Sequence, residues 1–216
     1  LAQVEAGEGQ VVGIVGEPGL GKSRLFYEFQ QGLAERRQTC LEARCFSYGH
    51  ATPYLPALDL VRQHCGIATT DSPEATIAKI HLRLQDIEFT SDTWAPYLLH
   101  LLGIQAGTEA LTGLSPETIK ARTFETLWQL VLASSRRQAV SLLVEDLHWI
   151  DATAEEFFTS LVERIVGTPI LFLWTARPGY RPPWLEKSYA TQVALTRLAP
   201  QDSLHIIRHV LQAAQV

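Results

Sequence analysis

The sequence predicts an α/β protein, a five-stranded parallel sheet covered by helices, and three observations predict it. Short β-branched runs that end at glycine or charge alternate with longer stretches of helical apolar spacing. A glycine-rich turn, residues 16–23, joins the first run to the first helical stretch. Two later apolar runs end at Glu145-Asp146 and at Thr175-Ala176-Arg177 and read as buried strands.

Taken in order, strands are expected near residues 11–15, 39–46, 139–145, 170–175 and 192–195. A helix should follow the first strand over 22–36, where Leu25, Phe26, Phe29 and Leu33 recur at helical spacing. Another should follow the third strand over 153–165, with Thr153 and Glu156 as a capping box, and a last one is expected over 203–213. Between the second and third strands, residues 48–137 far exceed what one crossover needs and are expected to form a helical insertion. Ser72-Pro73-Glu74 and Ser115-Pro116-Glu117 each supply an N-cap, a proline at the first helical position and an acid in the first turn. Helices are therefore expected over 55–64, 74–84, 95–102 and 116–134.

Composition narrows the function classes. The chain has 216 residues, of which 46% are hydrophobic, enough for one large domain or one domain with an insertion. A net charge of −5 and the lack of a basic run argue against a nucleic-acid footprint. Cys40, Cys45 and Cys65 lack zinc-ligand spacing and read as reduced core thiols. No run is long and apolar enough for a membrane span or a signal peptide, so a cytoplasmic setting is expected. The chain starts at Leu1, contains no methionine and stops within a helical pattern, so it reads as a piece of something larger.

Gly16-Glu17-Pro18-Gly19-Leu20-Gly21-Lys22-Ser23 matches GxxxxGK[ST], between a predicted strand and a predicted helix. Gly16, Gly19 and Gly21 let the backbone wrap phosphate oxygens, which meet N–H groups and the positive end of the next helix. Lys22 is expected on the β- and γ-phosphates, with Ser23 on Mg²⁺. Chance alone would produce the four fixed positions with a probability on the order of one per cent. The expected ligand is ATP or ADP with Mg²⁺, in the three-layer α/β/α fold of a P-loop NTPase.

The run Ser141-Leu142-Leu143-Val144-Glu145-Asp146 looks like a Walker B strand. By position Glu145 is assigned to the metal and Asp146 to activation of the attacking water. The usual order puts aspartate first, so this chain departs from the pattern there. Strand C-termini face the ligand crevice in such sheets, which places Thr175 or Arg177 near the γ-phosphate. Asp151 reads as an N-cap and Trp149 as core. His148 reads either as a hydrogen-bonded residue behind the acids or as a packed histidine, and Arg122 as part of a solvated helix face.

Together, Gly-Glu-Pro-Gly-Leu-Gly-Lys-Ser-Arg-Leu at 16–25, Glu-Asp-Leu-His-Trp-Ile-Asp at 145–151 and Thr-Ala-Arg-Pro at 175–178 resemble the STAND branch of AAA+-like ATPases. The likeness is to the modules beside class III adenylate/guanylate cyclase domains and in large LuxR-type transcriptional regulators. Ala-Thr-Pro-Tyr-Leu-Pro at 51–56 also resembles the segment after the second strand of those modules, so the likeness spans nearly the whole chain. The resemblance implies a sheet order of 5-1-4-3-2, Arg24 as part of the nucleotide-binding run and Arg177 as the sensor 1 arginine. It further implies a switch that ADP holds closed and ATP opens, with attached sensor and output domains and nucleotide-dependent self-assembly. The adenine-contacting segment and a complete lid are not found within these residues, so this piece is expected to bind nucleotide better than it hydrolyses it. Two other readings stay open on sequence: an assembly scaffold that hardly hydrolyses ATP, and a DNA-associated AAA+ ATPase, against which the acidic balance weighs.

Overall fold

The protein is described from a computed structural model, which covers residues 1–34, 36, 38–47, 54–199, 201 and 204. A short helix α1 (Ala2–Glu5) leads to strand β1 (Gln10–Val15), helix α2 (Lys22–Ala34) and strand β2 (Thr39–Arg44). Four helices follow: α3 (Leu55–His64), α4 (Pro73–Asp86), α5 (Ser91–Leu101) and α6 (Pro116–Ser135). Strand β3 (Val140–Glu145), helix α7 (Ala152–Arg164), strand β4 (Ile170–Ala176) and strand β5 (Ala190–Ala194) complete the described elements.

Every strand pairing is parallel, and the sheet order is β2-β3-β4-β1-β5. This is the expected order, 5-1-4-3-2, read from the other edge. Position in the sheet follows from apolar content: all seven residues of β4 and the first five of β3 are buried, so these strands lie between neighbours with both faces covered. Strand β5 carries mostly exposed side chains and lies at the edge. At the opposite edge, Gln63 of α3 donates to the carbonyl of Glu42 and accepts from its N–H at 2.8 Å, occupying backbone groups that β2 would otherwise leave open.

One sheet face packs on α1 and α2 through Val4, Ile14, Phe26, Leu143, Leu171 and Leu173. The other carries the larger core, in which α3, α6 and α7 bring Leu60, Leu127 and Phe157 against Leu142, Phe172 and Trp174. Helices α4 and α5 form an outer layer that buries Ile80, Leu84, Leu98 and Leu99. Arg83 of α4 joins that layer to the core, donating to His64 at 3.2 Å and to Ser134 at 3.1 Å. Burial and the neighbouring guanidinium push the His64 imidazole down to about 4, so it stays neutral and accepts this bond.

Several sequence expectations hold residue by residue. Helix α3 has the expected bounds, and Ser72 and Ser115 cap α4 and α6 by accepting from the N–H groups of Ala75 and Thr118. Others need correction. Helix α7 is capped by Asp151, which accepts from Thr153 and Ala154 at 3.0 and 2.9 Å, so Thr153 lies inside the first turn and the capping box with Glu156 does not form. Helix α5 starts at Ser91 and holds Pro96 inside it, because burial of Ala95, Leu98 and Leu99 outweighs the lost backbone bond. Helix α1 was not expected; Val4, 1% exposed, anchors it. The helix expected over 203–213 and part of the 51–56 segment lie outside the described residues.

Candidate nucleotide site

The site is built at the carboxyl edge of the sheet, where β1, β3 and β4 hand over to loops. After Val15 the chain turns through residues 16–21 into α2, with Gly19 and Gly21 at φ +83° and +90°, conformations that favour glycine. Gly16 is confined in another way: a Cβ there would press on Leu195 at 3.1 Å. The loop is pinned by Gly16 N–H donating to Ala176 at 3.3 Å, and Leu25 N–H donates back to Gly21 at 2.9 Å. The first N–H groups of a helix have no acceptor within it, so the start of α2 presents donors and positive dipole to an anion.

Lys22, 8% exposed, folds under this loop and donates to the carbonyls of Gly16 at 2.7 Å and Glu17 at 3.1 Å. Among the described residues this buried ammonium makes no ion pair, and a phosphate within reach would supply a charged acceptor. Ser23 follows on the exposed first turn of α2, while Glu17 and Pro18 are exposed and Leu20 is half-buried. Arg24 turns along the helix to pair with Glu28 and lies 5.8 Å from the Tyr27 ring, so it is not drawn toward the loop.

Register places the acids. Arg44 lies beside Glu145 across β2 and β3, and Val144 beside Trp174 across β3 and β4, so Glu145 reaches the edge near Thr175. One carboxylate oxygen of Glu145 is buried with no hydrogen-bond partner among the described residues. Burial and this carboxylate push the Glu42 carboxyl above its ordinary value. Asp146 takes the left-handed conformation, φ 56°, and is held from two sides. Its N–H donates to the buried Thr175 hydroxyl at 3.0 Å, and its carboxylate pairs with Arg44 at 3.1 Å.

A 3₁₀ turn, Leu147–Trp149, follows, closed by Trp149 N–H to Asp146 at 2.9 Å and anchored by the fully buried Leu147. Trp149 is half-buried and packs against the larger core, as expected, and the exposed Arg177 lies over its ring at 5.7 Å. Arg122 is exposed on α6, as expected. The structure thus brings Lys22, Glu145, Asp146 and Thr175 to one edge, with Arg177 on its rim. Arg44 was missed by the sequence reading, because only strand register brings it to Asp146, 102 residues away. The cysteines are free thiols, and burial pushes Cys40 and Cys65 up to about 11 and Cys45 to about 12, so they stay protonated at neutral pH.

A glycine-rich strand-to-helix loop and two strand-end acids at one sheet edge fit a P-loop ATPase, and comparison with known proteins agrees. The sequence profile described as an AAA ATPase domain matches residues 1–173. The chain belongs to the AAA ATPase domain family. This AAA module is similar to an uncharacterized protein of Rhizobium meliloti (strain 1021), at 30% identity over 201 residues, 93% of this chain. It spans 19% of that relative's length. Among solved structures it is similar to a Signal Transduction ATPase with Numerous Domains from Pyrococcus horikoshii that carries a tetratricopeptide repeat sensor. There the TM-score is 0.44 and the identity 15%, over 96% of this chain and 24% of that one. The cytoplasmic domain of the type VII secretion ATPase EccC from Thermomonospora curvata matches with a TM-score of 0.39 and 13% identity, over 88% of this chain and 19% of that one. CbiO1 from Clostridium perfringens, part of an ABC transporter complex, matches with a TM-score of 0.33 and 18% identity, over 78% of this chain and 68% of that one. Among the described residues no helix is long and apolar enough to cross a membrane.

Proposed function

We propose that this chain is the ATP-binding and ATP-hydrolysing core of a nucleotide-dependent switch in a larger signalling or transcription-regulatory protein of the STAND type. The observation that carries the reading is the convergence of the buried Lys22 with Glu145 and Asp146 at one sheet edge. The loop from Gly16 to Arg24 would hold the phosphates, and Lys22 would exchange the carbonyls of Gly16 and Glu17 for β- and γ-phosphate oxygens. The unpartnered Glu145 oxygen and the Ser23 hydroxyl fit a Mg²⁺ ion. When bound, Mg²⁺ neutralises charge that builds on the phosphates during transfer. In hydrolysis, a water oxygen bonds to the γ-phosphorus as the bond to the β-phosphate oxygen breaks. Asp146 accepts the water proton and ADP leaves. Arg177 would face the γ-phosphate once it leaves the Trp149 ring. Sensor and output domains elsewhere in the longer protein, of the cyclase-associated or LuxR-type kind, would read the ADP and ATP forms, with self-assembly in the ATP form.

A second reading, a nucleotide-binding assembly scaffold with little turnover, draws support from Arg44. Its guanidinium already pairs with the carboxylate that must take the proton, at 3.1 Å. Steady-state phosphate release separates the two. On the hydrolytic reading Asp146→Asn lowers turnover about 100-fold, the typical worth of a positioned base, and leaves nucleotide affinity nearly unchanged. Equal release rates from the wild type and the variant would leave the scaffold reading standing.

A further inference from the structure

Four buried polar side-chain atoms without a partner among the described residues lie within residues 145–151: Oε2 of Glu145, both ring nitrogens of His148 and Oδ2 of Asp151. The rest are spread over Gln38, Ser91, Trp174 and Trp184. An unmade hydrogen bond at a buried polar atom costs about 1–3 kcal/mol, so such atoms call for a partner. Glu145 has one in the proposed Mg²⁺, and Asp151 already spends its other oxygen on the α7 cap. His148 has none on either nitrogen.

Its position is fixed and its surroundings are specific. The 3₁₀ turn holds its backbone, and the Trp149 ring packs on the imidazole at 5.0 Å between centroids, so the unpartnered nitrogens do not belong to a loose surface residue. The charged groups that act on it are Asp146, Arg177 and Lys22, the residues proposed above to surround the terminal phosphate. Burial lowers the imidazole below the ordinary histidine value; Asp146 opposes this, and Arg177 and Lys22 add to it. A neutral ring offers one N–H donor and one acceptor. An N–H donor suits an anionic acceptor, and two of the three charged groups that act on the ring, Arg177 and Lys22, are cations. The α- and β-phosphates, by contrast, belong over the loop amides at the start of α2.

We infer that His148 is a further ligand of the terminal phosphate: a ring N–H donates to a γ-phosphate oxygen of the bound nucleoside triphosphate and so distinguishes triphosphate from diphosphate. The inference rests on the nucleotide-site reading above. It gives the Asp-Leu-His turn the task of reporting the γ-phosphate, next to the acid proposed to direct its hydrolysis.

The test uses the chain with ¹⁵N-labelled histidine, observed by NMR with Mg²⁺ and either a non-hydrolysable ATP analogue or ADP. His148→Gln assigns the signal among the seven histidines. The His148 ring resonances are expected to move with the analogue and to stay near their free positions with ADP. In parallel, His148→Ala should lower the ratio of triphosphate to diphosphate affinity about tenfold, the worth of one hydrogen bond to a charged group. If both nucleotides bind, and the ring signals are the same with each and the affinity ratio changes less than twofold, the inference is overturned while the nucleotide site stands. Failure of the wild type to bind either nucleotide sinks both. The wild-type spectra decide the matter even if His148→Ala does not fold.

Discussion

Lys22→Ala is expected to weaken Mg²⁺-ATP binding about 100-fold or more, beyond detection in a fluorescent-nucleotide displacement assay. The ammonium is buried beneath the loop and committed to the carbonyls of Gly16 and Glu17. Bound phosphate would offer it charged acceptors instead, each charge-assisted bond contributing about 1.5–3 kcal/mol. Two such bonds amount to about 3 kcal/mol at the low end, or a factor of about 100 in affinity. Because the alanine also removes the buried side-chain stem, Lys22→Met, which keeps an apolar stem, should lose affinity equally and thereby separate charge from packing. Wild-type affinity in both variants would remove the lysine from the site.

Gly13→Val should lower the melting temperature by roughly 6–12 °C, the counterpart of about 3 kcal/mol in a chain of this size. Strand propensity alone forecasts the opposite sign, since valine favours strands and glycine weakens them. Packing reverses it. Gly13 pairs with Trp174 across β1 and β4, and a Cβ at position 13 would overlap the indole ring, itself 1% exposed between the sheet and the larger helix layer. The ring has no open space to enter, so the strand ahead of the phosphate loop must shift. Thermal unfolding followed by circular dichroism measures this, and a melting temperature at or above that of the wild type would contradict the packing argument.

How much of this was legible beforehand depends on whether the cause was local. Strands β3 and β4 announced themselves because a strand buried on both faces must be apolar throughout. Ser72, Ser115 and Asp151 announced helix starts because a cap acts within three residues of itself. The phosphate loop was legible for the same reason: its glycines and its lysine act inside one turn. Gly13 lies inside the expected first strand, but what approaches it depends on the β1–β4 register. The Arg44–Asp146 pair and the Thr175 hydroxyl under the Asp146 N–H were hidden likewise, since each joins residues that only the folded sheet brings together. Edge strand β5 was placed two residues late, because its mostly exposed side chains leave little apolar pattern to mark its start. His148 left two readings open on sequence, and its unpartnered nitrogens became visible only with its neighbours in place.

The central claim, that the loop from Gly16 to Ser23 holds a nucleoside triphosphate, is tested most directly by calorimetric titration of the wild-type chain with Mg²⁺-ATP. Saturable binding of one nucleotide per chain is expected, competed by ADP and lost in Lys22→Ala. Titration of a folded chain that gives no saturable heat with either nucleotide would contradict it.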